Sequence, residues 1–190
     1  MTERTVITPP AEAPLTLDAV KAFLRIGHDG EDDLLADLLQ SARDRLEQAA
    51  GLALVVQTVR VVWTDWPAEI RGRGARLPIA PVRQLDAVRV ADADTAATDC
   101  SGQFQLVCGR VHLRPWHTLP SLPMGGTIEI DVQVGFGVAI DVPDDLREAL
   151  LRLIGALYSA RVADHFAPSK TEGLPRDVQA ILDARKEVRL

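Results

Sequence analysis

The densest group of potential ligands in this sequence is the turn His28-Asp29-Gly30-Glu31-Asp32-Asp33. Carboxylates crowded on a turn are the chemistry of hard cations, which bind through oxygen. A calcium loop of the helix-loop-helix kind alternates its ligands and puts a Glu at the twelfth position, and this turn does neither. The same acids suit the start of a helix, where the positive end of the backbone dipole favours them. Cys108, His112 and His117 are zinc-ligand types, but the paired short spacing of zinc motifs is absent. Cys, His and Asp all occur, yet no nucleophile sits in a recognisable elbow or signature. Gly135-Phe136-Gly137 follows the strand-like TIEIDVQV without the GxxxxGK[ST] of a phosphate loop, and reads as a turn. The expectation is no catalytic residue, no metal and no cofactor, with a metal-dependent hydrolase the weakest alternative.

The one concentrated positive patch is Arg71, Arg73 and Arg76, with Arg83 nearby. Without interleaved aromatics it suits a solvated loop or an intersubunit contact better than a nucleic-acid reader. Trp63, Trp66 and Trp116 read as core or rim packing. Cys100 and Cys108 lie eight apart around a turn; a pairing is open, but two cysteines in 190 residues do not make a secreted disulfide scaffold. Hydrophobic residues make up 47% and charged residues 25%, a globular composition. The net charge of -6 argues against general affinity for phosphate backbones, which needs clustered Lys and Arg. It suits a surface past which DNA slides without sticking. No signal-peptide pattern and no membrane-length apolar run occurs, so the expectation is a soluble protein, cytoplasmic where it is made.

These residues must be positioned by a helix-sheet-helix order. Residues 1–14 contain three prolines and read as a flexible extended arm that orders on a partner. Thr16 caps a helix over 16–26 with Leu17, Val20, Phe23 and Leu24 on its buried face. A helix over 31–50 buries Leu34, Leu35, Leu38, Leu39, Ala42, Leu46 and Ala49 opposite Asp37, Arg43, Asp44 and Glu47, and stops at Gly51. Residues 55–135 read as an inserted antiparallel sheet of about five strands: Val55 to Thr64, Leu85 to Val90, Gln103 to Val107, Arg110 to Leu113 and Thr127 to Val134. Pro143 opens a helix over 144–162 whose apolar face is Leu146, Leu150, Leu153, Ile154, Leu157 and Tyr158. From Pro175 to Arg185, Val178, Ile181 and Leu182 recur at helical spacing in a segment that needs docking for stability. The fold class is α+β, a helical bundle with an inserted antiparallel sheet.

Taken together, LTLDAVKAFLRIGHDGEDDLLADLLQSARDRLEQAAGLAL, QTVRVVWTDWP, LPIAPVRQLDAVRV, TIEIDVQVGFG and VPDDLREALLRLIGALYSAR resemble the tailed-phage head-tail connector, or adaptor, proteins. The chain is especially similar to adaptors of prophages and gene transfer agents. The likeness covers about residues 15–165, as a connector domain, and lies in the order of segments. It implies a structural, non-enzymatic ring protein, commonly of twelve copies, in the host cytoplasm during assembly and then at the head-tail interface of the particle. The implied partners are the portal protein, a tail-side stopper or tail-completion protein, further copies of itself, and DNA passing through the lumen without sequence-specific binding; no membrane is implied. In the family the C-terminal part reaches the portal, which makes the segment 166–190, and 168–190 above all, the candidate portal contact. The interface candidates are Arg71, Arg73, Arg76, Pro175, Val178, Ile181 and Leu182. A DNA-binding module that handles packaged DNA is the competing reading from another class.

Overall fold

The computed structural model describes residues 2–92, 97–164 and 173–187. The fold is α+β, and the chain divides into two compact units: a sheet unit of Met1–Ala11 and Val55–Phe136, and a helical unit of Glu12–Leu54 and Gly137–Leu190.

The sheet unit is built on a central strand pair whose sequence alternates. In β2, Gln57–Trp63, the residues Gln57, Val59, Val61 and Trp63 are buried while Thr58, Arg60 and Val62 are only partly covered. β8, Thr127–Val134, runs antiparallel to it in a register that sets Val59 opposite Val132 and Val61 opposite Ile130. Period-two burial of this kind gives one apolar and one polar sheet face. β4, Val82–Ala91, adds to the other side of β8, with register shifts that mark bulges between Val82 and Gln84 and between Leu85 and Ala87. β5, Thr98–Asp99, pairs with the end of β4.

The N-terminal residues depart from the expectation. Instead of a loose arm, β1, Thr2–Thr8, pairs antiparallel with β2, so the sheet order is β1-β2-β8-β4-β5. The prolines that suggested an arm stand at positions 9, 10 and 14, where they end the strand rather than interrupt it. The single expected sheet is also two sheets. Strands β6, Phe104–Val107, and β7, Arg110–Leu113, form a hairpin that joins the two-residue β3, Ala75–Arg76, in the order β3-β7-β6. At the end of β8, Gly135 has φ +117°, and a Cβ there would lie 2.5 Å from the carbonyl oxygen of Val55. Only glycine allows this approach.

In the helical unit, α1, Leu17–Leu24, starts where expected, with the Thr16 hydroxyl accepting from the Ala19 amide at 3.2 Å. Its burial is narrower than expected: Val20 is enclosed, whereas Phe23 is 47% exposed. α2, Asp32–Ala50, ends on Gly51 in the left-handed conformation. It buries Leu35, Leu39, Ala42 and Leu46 as read, but also Arg43 and Glu47, which the sequence placed on the polar face. These two satisfy each other and the backbone. Glu47 Oε1 accepts from Arg43 Nε at 3.2 Å and from the Leu54 amide at 2.8 Å, so one carboxylate holds the chain as it leaves the helix. α3, Asp144–Asp164, buries Leu146, Ala149, Leu150, Leu153 and Ile154, with Leu157 and Tyr158 half-buried. It packs on both α1 and α2. The Tyr158 hydroxyl reaches Glu31 Oε2 at 2.8 Å. α4, Arg176–Glu187, packs on α3.

Candidate interaction surface

Several of the groups with chemical potential are engaged within the fold. Lys21 Nζ lies 2.5 Å from Asp29 Oδ1 and 2.8 Å from Asp32 Oδ1, so two acids of the oxygen-rich turn are neutralised by an ammonium of the same chain. The hydrogen bond from Lys21, with its charge, holds the Asp29 carboxyl below its ordinary range, and the bonds to Asp29 and Asp32 raise the Lys21 amine. Among the described residues no group of three or more His, Cys, Asp and Glu side chains is placed to hold a metal ion. No helix among them is long and apolar enough to cross a membrane. Cys100 and Cys108 are both free thiols, the first buried and the second exposed. Cys100 Sγ donates to the Val88 carbonyl at 3.2 Å, and burial pushes its thiol up.

The most concentrated ionic network lies on the polar face of the five-stranded sheet. Cross-strand register sets Arg60 of β2 and Ala87 of β4 on either side of Asp131 in β8. Arg60 grips Asp131 with two bonds, Nε to Oδ1 at 2.7 Å and Nη2 to Oδ2 at 3.0 Å. Arg89 Nη1 adds a third at 2.6 Å, and Arg60 Nη1 reaches Glu129 at 2.9 Å. Asp131 is only 7% exposed. Burial alone would raise its pKa, but the bonds from Arg60 and Arg89 outweigh it and hold the carboxyl below the usual range. This network reads as structural, since every charge has an opposite partner.

The basic loop is shaped by backbone bonds. A single 3-10 turn over Ala68–Arg71 leads into it, and the amides of Gly72 and Gly74 both donate to the Glu69 carbonyl, at 2.9 and 2.8 Å. Gly74 has φ +79°, and the His112 ring occupies the place its Cβ would take. Arg110 Nη1 donates to the Gly74 carbonyl at 3.2 Å. Arg71, Arg73 and Arg76 are all exposed, and Arg76 stands directly opposite Arg110 in the β3-β7 pair. Like charges facing each other across strands repel, so this small sheet gathers positive charge that nothing across the strand pair offsets. Arg83 donates to the Phe136 carbonyl at 2.6 Å and Arg114 to the Phe104 carbonyl at 2.8 Å, bonds that fix the side chains and leave their charges in place.

The tryptophans divide. Trp63 is in the core, and Trp66 stacks on Phe104 with ring centroids 5.1 Å apart while its Nε1 donates to the Pro120 carbonyl at 3.0 Å. Trp116 departs from the packing expectation: it is fully exposed, on a backbone with φ +68°. The C-terminal candidates divide too. Val178 and Leu182 are buried by this chain itself, in the α3-α4 packing, while Pro175 and Ile181 are half-buried. Arg185 clamps Asp145 with two bonds of 2.9 and 3.1 Å, fixing α4 to the first turn of α3. Of the segment expected to reach the portal, residues 166–172 and 188–190 lie outside the described residues.

Residues 14–71, from the start of the helical unit to the basic loop, match the family of phage gp6-like head-tail connector proteins. A comparison with curated proteins finds no match. Among solved structures, the chain is similar to one from the virion of a native gene transfer agent particle, with 27% identity and a TM-score of 0.77 over 98% of this chain and 96% of that one. It is likewise similar to a chain in the neck of an empty gene transfer agent particle with C6 symmetry, at 27% identity and TM-score 0.77 over 99% and 97%. A chain in the neck of the native particle with C12 symmetry gives 27% identity and TM-score 0.72 over 100% and 97%. The resemblance to head-tail connector proteins thus stands at two levels, in the family match over residues 14–71 and in neck chains of gene transfer agent particles over nearly the whole chain.

Proposed function

We propose that this chain is a structural head-tail connector subunit that forms a ring below the portal of a phage-like head, joins that head to the tail and surrounds the DNA exit channel. One observation carries the reading: the likeness to neck chains of gene transfer agent particles extends over 99–100% of this chain, leaving no large part of it for an unrelated task. The C12 symmetry of one of those necks supports twelve copies. A closed ring of identical subunits needs two different, complementary faces on each subunit. The portal on one side and a tail-side stopper or tail-completion protein on the other are the further partners. DNA passes through the lumen unread, and the work of the chain is assembly rather than catalysis. After synthesis in the host cytoplasm the subunit resides at the head-tail interface of the particle.

Portal contact falls to the C-terminal segment, and the burial of Val178 and Leu182 transfers that role from these apolar residues to the outward positions of α4 and the residues beyond it. Arg71, Arg73 and Arg76 belong to an intersubunit or tail-side rim. Electron microscopy of particles assembled without this chain tests the reading: filled heads lacking tails are expected, and normally tailed particles would end it.

A further inference from the structure

The loop between β7 and β8 carries the largest exposed apolar groups of the sheet unit, Trp116 and Met124, both fully accessible. It is built rather than loose. Trp66 Nε1 holds the Pro120 carbonyl, the His117 amide closes a turn on Arg114 at 3.3 Å, and the Gly126 amide closes another on Pro123 at 3.0 Å. Prolines at 115, 120 and 123 restrict it further. A tryptophan on a backbone restrained in this way costs little loop ordering on docking, and such anchors dominate protein interfaces. Arg71 and Arg114 line the open groove beside it, about 370 Å³ in volume.

Charge indicates what covers it. The sheet unit holds nine Lys and Arg against nine Asp and Glu, and the helical unit twelve against eighteen, so the whole net charge of -6 lies on the helical unit. On α2 the exposed Asp33, Asp37 and Asp44 fall at helical spacing on one face. At the C-terminal end of that helix Arg45, Gln48, Ala49 and Leu174 line a groove of about 530 Å³, large enough to admit an indole ring, on whose face the Arg45 guanidinium can stack.

We propose that the β7-β8 loop is the knob of the ring contact: Trp116 enters the groove at the end of α2 in the neighbouring copy, with Arg71 and Arg114 facing that copy's acidic helical unit. This rests on the connector-ring reading and names the two complementary faces which that reading requires. The sheet unit of one subunit grips the helical unit of the next, and repetition of the contact closes the ring.

The test uses particles assembled with two forms of the chain, one carrying Thr118→Cys and the other Ala49→Cys, both with Cys108→Ser. A short bismaleimide is expected to join the two forms into a heterodimer. Trp116→Ser in the Thr118→Cys form is expected to abolish that product, and in all copies to lower the yield of tailed particles about tenfold or more. A thermal melt of Trp116→Ser matching the unsubstituted chain separates lost docking from lost folding. If the chain sits in the neck but its copies do not cross-link, or if residue 118 links to a different polypeptide, the knob assignment is overturned while the connector reading stands. If the chain is absent from the neck, both fall.

Discussion

Asp131 shows how a single carboxylate can organise a sheet face. Its partners Arg60 and Arg89 come from two different strands, one on each side of β8, so removing the charge leaves two guanidinium groups without their shared acceptor. Asp131→Asn is expected to destabilise the folded chain by about 2–4 kcal/mol, measured by urea unfolding at pH 7. The pH dependence has a definite sign. Because the folded-state pKa lies below the unfolded value, the contribution is fully present above about pH 4, the ordinary Asp range, and is lost as the pH falls through the folded pKa. Unfolding followed from pH 6 to pH 2 should therefore show a steeper acid loss for the unsubstituted chain than for Asp131→Asn, and parallel curves would refute the assignment. Glu47 makes the corresponding case in the helical unit. Glu47→Ala strands the buried Arg43 and the Leu54 amide together and should cost about 3 kcal/mol in the same measurement.

At the scale of elements, two segments that look dispensable in the sequence are integral. β1 covers the edge of β2, whose inward residues are Val59, Val61 and Trp63. Deleting residues 2–8 bares that edge, and exposed edges recruit other strands; light scattering should show concentration-dependent aggregation where the full chain stays dispersed. α4 is attached through Val178, Leu182 and the Arg185–Asp145 clamp. Leu182→Ala should lower stability by about 2–4 kcal/mol and speed amide exchange first in α4, whose buried apolar residues are Val178 and Leu182. Unchanged exchange in α4 would mean that the helix is held by something other than this contact. Both segments were hard to read for the same reason. β1 mixes charges with β-branched residues, as edge strands do, and α4 is too short to be stable without the helix it docks on.

At the scale of the whole molecule, charge is segregated between the two units, and the connector reading turns that segregation into an assembly rule. Reversing Arg71, Arg73 and Arg76 together to Glu should reduce particle assembly sharply, counted as the ratio of tailed to tailless heads by electron microscopy; an unchanged ratio removes these arginines from the rim. The isolated chain should bind duplex DNA weakly, and its binding should fall little between 50 and 200 mM salt, because a helical unit of net charge -6 cannot neutralise many phosphates. Tight binding that collapses with salt would favour a DNA-handling module instead.

The order of helices around a sheet, the Thr16 cap, the Gly51 stop and the positions of β2 and β8 were all legible in the sequence, because caps and periodicities are encoded within a few neighbouring residues. So was the likeness to head-tail connectors, which lies in the order of those segments. The tertiary structure alone decided that the strands form two sheets, that the first residues close an edge, and that Arg43 and Glu47 turn inward while Trp116 turns outward. It also decided that Asp131 is caught between arginines 71 residues before it and 42 residues before it. Such pairings depend on which distant segments the fold brings together, and no local pattern of polarity records that.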